Sequence, residues 1–120
     1  MTAPSRPWPV ELRLDTNKTT LTIAFDSGES FALAAEYLRV ESPSAEVQGH
    51  SAAQKQIVAG KRGVKIVGLE PVGNYAVRID FDDGHATGLF SWDYLYELGV
   101  RREQKWSAYL AALRAKHLER

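Results

Sequence analysis

Residues 81–95, FDDGHATGLFSWDYL, hold a strand end, an acidic turn, a returning strand and a helix start, and the pairing register across that turn decides the fold. A two-residue turn at Asp83-Gly84 would pair Asp82 with His85 and send the imidazole to solvent. A three-residue loop, Asp82-Asp83-Gly84 with a left-handed glycine in a bulge, sets His85 opposite Phe81 instead. An upstream stretch, TIAFDSGESFALAAEYL (22–38), aligns with RIDFDDGHATGLFSWDYL (78–95) if one residue is inserted before the closing acidic-Tyr-Leu triplet. There only the three-residue loop puts Phe31 opposite Ile23 and Leu33 opposite Leu21 on one apolar face. A one-residue slip would turn every side chain over, so the same register is assigned to both hairpins. His85 is then expected at the rim of the apolar face against Phe81, with Asp82 or Asp83 close enough to favour its charged form. Glu29 holds the equivalent slot.

Working outward, the segments ELRLD, TTLTIAF and ESFAL read as strands, and VKIVGLEPV and AVRIDF form a second pair around GNY. In the latter, Val77, Ile79 and Phe81 alternate with Arg78 and Asp80, which buries one face. Ser91 is placed to cap a helix that has Asp93 in its first turn, Trp92, Leu95 and Leu98 on one stripe, and Gly99 just past its end. A last helix over about residues 102–118 presents Trp106, Leu110, Leu113 and His117 at helical spacing, with Tyr109 beside them. The predicted fold class is α+β: an antiparallel sheet of two β-hairpins with short helices and a C-terminal helix. Residues 1–9, with three of the five prolines, read as a flexible arm, and 10–120 as a single domain. Within it, residues 41–63 form a long loop whose length points to function or disorder.

Composition narrows the chemistry. Fifteen basic and fifteen acidic residues cancel, so no global field draws the chain to nucleic acid or an anionic membrane. The absence of cysteine removes disulfides, thiolate metal sites and cysteine nucleophiles. With no apolar run long enough for a signal sequence or a membrane span, the expected location is cytoplasmic. No catalytic set is legible, and the chain is not expected to be an enzyme.

Several single residues fit ordinary structural roles. His50 beside Ser51 lacks an orienting acid and reads as loop surface. Lys61 and Arg62 in AGKRG offer cations and flexible amides without the spacing of a phosphate-binding loop, so a weak nucleic-acid or phosphate binder through residues 49–63 is a secondary reading only. Asp80, Asp82 and Asp83 fit a turn better than paired-carboxylate catalysis. Trp92 and Tyr94 are either core residues or an aromatic patch for a partner.

The runs LRVESPSAEVQGH, GKRGVKI, PVGNYAVRIDFDDGH and TGLFSWDYLYELG together resemble the gamma-butyrobetaine hydroxylase-like N-terminal domain in its stand-alone bacterial form, over roughly residues 8–110. The resemblance implies a non-catalytic accessory or protein-binding module serving iron or iron-sulfur enzyme systems, including cluster assembly. Its implied partner is an iron-sulfur carrier or an iron-dependent enzyme. In the hydroxylase branch the domain holds zinc through three cysteines and a histidine, and the matching positions are Ser42, Ser44, Val47 and His85. Because the cysteines are gone, no cofactor is expected, and an iron or zinc regulatory site on His85 stands as the alternative. His50, Lys61, Arg62, His85 and Trp92 are the candidate partner-binding residues.

Overall fold

The computed structural model describes residues 7–48 and 56–120, and every structural statement below concerns those residues. Two three-stranded antiparallel sheets, four helices and their connections make an α+β arrangement. Strands β1 (Pro9–Leu14), β2 (Thr20–Phe25) and β3 (Ser30–Ala34) form the first sheet in that order, followed by α1 (Ala35–Val40) and the single turn α2 (Ala45–Gln48). Strands β4 (Ile66–Val72), β5 (Ala76–Phe81) and β6 (Gly88–Ser91) form the second sheet, followed by α3 (Trp92–Val100) and α4 (Arg102–Ala115). Each expected hairpin thus sits in a sheet of its own with a third strand beside it.

The register follows the expected loops. Leu21 pairs with Leu33 and Ile23 with Phe31. Phe25 N–H donates to the Glu29 carbonyl at 2.8 Å, and Phe81 N–H donates to that of His85 at 2.9 Å. Gly28 and Gly84 close the two loops at φ +94° and +91°, a conformation that costs glycine little and a β-branched residue a great deal. Burial completes the argument, since Leu21, Ile23, Leu33, Ile66, Ile79, Phe90, Leu95 and Leu98 are all fully enclosed in one core. Truncating a side chain as large as Phe90 there would cost about 3–5 kcal/mol.

The internal repeat runs further in the structure than in the sequence. Both first strands carry a bulge at the same place, between Pro9 and Glu11 opposite Phe25 and between Ile66 and Gly68 opposite Phe81. The residue ahead of each strand is clipped by the turn aspartate of its own unit. Trp8 N–H donates to Asp26 Oδ1 while Asp26 N–H donates to the Trp8 carbonyl, and Lys65 and Asp82 repeat both bonds. Each helix entry is anchored alike, through Ala35 N–H to Thr19 O and Trp92 N–H to Tyr75 O. Residues 8–42 and 65–99 are therefore two copies of one β-β-β-α unit. The first copy's bonds also show that order reaches back to Trp8; residues 1–6 of the expected arm lie outside the described residues.

Two helix-end expectations are corrected. Gly99 was expected past the end of α3, yet it lies within the helix, where a Cβ would stand 2.4 Å from the Phe31 ring. Close approach of that ring, not chain reversal, is what requires glycine there. His117 was placed on the stripe of the last helix, but it follows the helix end at φ +56°, with Leu118 N–H donating to Leu113 O and His117 N–H to Arg114 O. This is a left-handed cap of the kind glycine usually supplies. Ser91 caps α3 as expected, accepting from Tyr94 N–H at 3.1 Å.

Candidate functional site

Two features stand out among the candidate residues: a buried polar cluster around His85 and an exposed aromatic face beside Trp92. The first arises where the two units differ. Gly88 takes the place in β6 that Phe31 holds in β3, and Ser42 takes the place after α1 that Gly99 holds in α3. Phe31 packs onto Gly99, whereas a Cβ on Gly88 would come within 2.5 Å of Ser42 Oγ. Ring on glycine in one unit becomes hydroxyl on glycine in the other. The hydroxyl leaves polar capacity that the imidazole meets: His85 Nε2 lies 2.9 Å from Ser42 Oγ and 3.4 Å from Ser44 Oγ. The Phe81 ring packs beside it at 6.2 Å between centroids.

His85 is only 7% exposed, so the expected rim position becomes an enclosed one, and the side chain is not available as a partner contact. The expected pairing with the turn acids also takes another form. Asp83 Oδ1 accepts the His85 backbone N–H at 3.0 Å, and Oδ2 is shared by Arg39 Nε at 2.8 Å and Lys61 Nζ at 2.7 Å. Burial pushes the Asp83 carboxyl up, but Lys61, the His85 N–H and Arg39 together outweigh it and hold the group well below its ordinary value of 3.8. Arg39 Nη1 is buried without a hydrogen-bond partner among the described residues, so this small network carries a donor to spare.

Three of the four positions that the resemblance assigns to zinc do converge, and Val47 is buried in α2, bonded through its N–H to the Ser44 carbonyl. The chemistry of the donors decides against the ion. Serine hydroxyls are not usual zinc ligands, and valine has no donor atom. Among the described residues no three His, Cys, Asp or Glu side chains come together in a way that would hold a metal ion. Asp80 is held by Arg78 at 2.9 Å, and Asp82 accepts from Lys65 N–H at 3.0 Å, so these carboxylates serve the sheet. The described residues do not fit zinc, nor an iron site built from His85 and the turn acids.

Of the remaining sequence candidates, His50 lies outside the described residues. Lys61 is occupied by Asp83, while Arg62 is exposed on the neighbouring turn. Trp92 belongs to neither alternative alone. It packs against the core, donates Nε1–H to Asn74 O at 3.0 Å, and meets Trp8 edge to face at 6.5 Å. Around it Trp8 is 49% exposed, Tyr75 56% and Val10 64%. A shallow hollow of about 320 Å³ between Trp8, Tyr75 and Trp92 has Ser91 and Asp93 at its margin. Sequence reasoning missed Trp8 and Tyr75. One sits in the proline-rich start and the other in a turn, and only the pairing of β1 with β2 and the entry into α3 bring them together.

No helix among the described residues is long and apolar enough to cross a membrane. A search of curated proteins gave no match. Two solution structures determined by NMR share the fold at a TM-score of 0.83: one is 46% identical, covering 97% of this chain and 91% of its own, and the other 47% identical, covering 100% and 90%. A crystal structure from Acidithiobacillus ferrooxidans ATCC 23270, of a protein with unknown function in the DUF971 family, is 40% identical over 76% of this chain and 91% of its own, with a TM-score of 0.64. The family described as gamma-butyrobetaine hydroxylase-like, N-terminal, matches residues 12–96, and the chain belongs to that family.

Proposed function

We propose that this chain is a non-catalytic protein-binding module whose contact surface is the aromatic face at the start of α3. The observation that carries the reading is the cluster of Trp8, Tyr75 and Trp92, with two large rings about half exposed beside exposed Val10. Isolated apolar residues on a surface are ordinary, but aromatic side chains gathered at one place are characteristic of interface centres. The Trp92 ring is fixed by its bond to Asn74 and by the Ser91 cap, so little side-chain freedom would be lost on docking. Family resemblance directs the choice of partner toward an iron-sulfur carrier or an iron-dependent enzyme.

The test is affinity capture of the full chain at native abundance from its own cell, compared with a Trp8→Ser/Tyr75→Ser variant. A protein recovered in stoichiometric amount with the wild type and lost with a folded variant is the expected result. If no protein is retained in stoichiometric amount, or if the variant retains it equally, the reading fails.

A further inference from the structure

The open edge of β3 faces a groove. Phe25 and Glu29 form a hydrogen-bonded end pair, so bonding alternates along the strand: Phe31 and Leu33 turn their backbone groups to β2, and Ser30 and Ala32 turn theirs away. Since β3 is the outermost strand, those groups point off the sheet. The Ala32 carbonyl accepts from Arg102 Nη1 at 3.0 Å. Ser30 and Ala32 are small and exposed, which leaves the edge open to lateral approach.

Beyond the edge lies a groove of about 790 Å³ between β3 and the corner from Gly99 to Gln104. A second hollow of about 470 Å³ shares Ala32 and Arg102 with it and is lined further by Ala34, Tyr37 and Trp106, with Glu36 and Arg120 at its charged side. Arg120 lies over the Trp106 ring at 5.3 Å and is committed to Glu36 at 2.7 Å. Arg101 and Arg102, by contrast, form no ion pair with a described carboxylate, and Glu103 is the one acid lining the larger groove. The surrounding segment shares that excess, since residues 101–120 hold six basic and two acidic side chains. In the second unit Ser42 Oγ and Pro43 Cδ lie against Gly88 at the equivalent corner.

We propose that an extended, acidic segment of a partner protein docks in this groove as a fourth strand on β3. Backbone groups that alternate along an unpaired edge are complemented by another extended chain. Side chains of such a strand alternate in direction, so acidic positions reach Arg101 and Arg102 while an apolar position enters the hollow over Trp106. On docking, a backbone N–H of the segment takes over the Ala32 carbonyl, which frees Arg102 for a carboxylate. The groove is separate from the aromatic face, and the failure of either proposal leaves the other intact.

The experiment titrates the isotope-labelled full chain with a synthetic hexapeptide alternating Glu and Val. Amide shifts and slowed hydrogen exchange centred on Ser30 and Ala32 are expected. Affinity should fall at least about tenfold in a folded Arg101→Glu/Arg102→Glu variant, and similarly for a peptide N-methylated at its ladder positions. A Lys-Val peptide of the same length should not bind, and Trp8→Ser should leave binding unchanged. Shifts centred elsewhere, equal binding of the N-methylated or Lys-Val peptide, or no response at millimolar peptide would each overturn the proposal. The two peptide controls carry the test if the charge-reversal variant does not fold.

Discussion

Tyr37 and Tyr94 hold the same place in the two units, and each phenol donates to the carbonyl four residues beyond the other tyrosine. Tyr37 Oη reaches Leu98 O at 2.7 Å, and Tyr94 Oη reaches Glu41 O. The exchange is reciprocal, as across a two-fold axis, and it ties the end of each helix to the opposite half. Carbonyls at a helix end have no partner within the helix, so these phenols supply what the backbone lacks.

Removing either hydroxyl takes away the hydrogen bond that its carbonyl receives at the seam. Tyr37→Phe and Tyr94→Phe are each expected to lower stability by about 1–2 kcal/mol in chemical denaturation. Burial, with the charge of Glu41 adding to it, pushes both phenols far above their ordinary value of 10.0. A folded-state value raised above the unfolded one gives stability that is complete below pH 10.0 and is lost as pH rises beyond it. Unfolding followed against alkaline pH should therefore show a decline that flattens in the double Phe variant. An unchanged decline would mean that these phenols do not carry it.

Asp83 contributes on the acid side. Its carboxyl is held below the ordinary 3.8, so its contribution is present above that pH and drains away as pH falls through the lower, folded-state value. Asp83→Asn should reduce stability at neutral pH and weaken the acid dependence, because Arg39 and Lys61 lose their shared acceptor. The check is a series of denaturation curves from neutral to strongly acidic pH. Identical slopes in wild type and variant would contradict the assignment.

Gly99 sits in a helix, where intrinsic propensity favours alanine over glycine by about 1 kcal/mol. The Phe31 ring reverses that expectation, since it occupies the space a Cβ needs. Gly99→Ala should destabilise by about 1–3 kcal/mol, and Phe31→Ala in the same chain should make the added methyl tolerable. A more stable Gly99→Ala protein would show that the ring moves aside without cost.

The polar cluster makes a prediction about metal. Introducing thiols with Ser42→Cys, Ser44→Cys and Val47→Cys around His85 should create a site that retains one zinc through gel filtration and raises the melting temperature, with both effects lost on adding His85→Ala. Metal content and thermal unfolding without an affinity tag report the outcome. Failure of the triple variant to hold zinc would mean that the four positions do not form a tetrahedral set.

Local chemistry made much of the architecture legible. The Asp-x-Gly loops, the alternation of Val77, Ile79 and Phe81, and the Ser91 cap are each written within a few residues, because turn geometry, strand pleat and helix capping are short-range effects. Gly99 and His117 misled for the same reason. Glycine near a helix end ordinarily marks a cap and histidine at helical spacing ordinarily marks a face, and neither signal records what lies across the fold.

From the sequence alone followed the α+β class, the hairpin register, the repeat of 22–38 in 78–95, and the absence of cysteine. Tertiary structure decided the rest: the extension of the repeat through β1 and β4, the enclosure of His85 with Ser42, the meeting of Trp8 with Trp92, and the open edge beside Arg102. Those partners stand far apart along the chain. Their meeting depends on how the sheets and helices pack around a main core and a smaller cluster of Val40, Tyr109 and Leu113, and that is settled by long-range packing rather than by the conformational preference of any short segment.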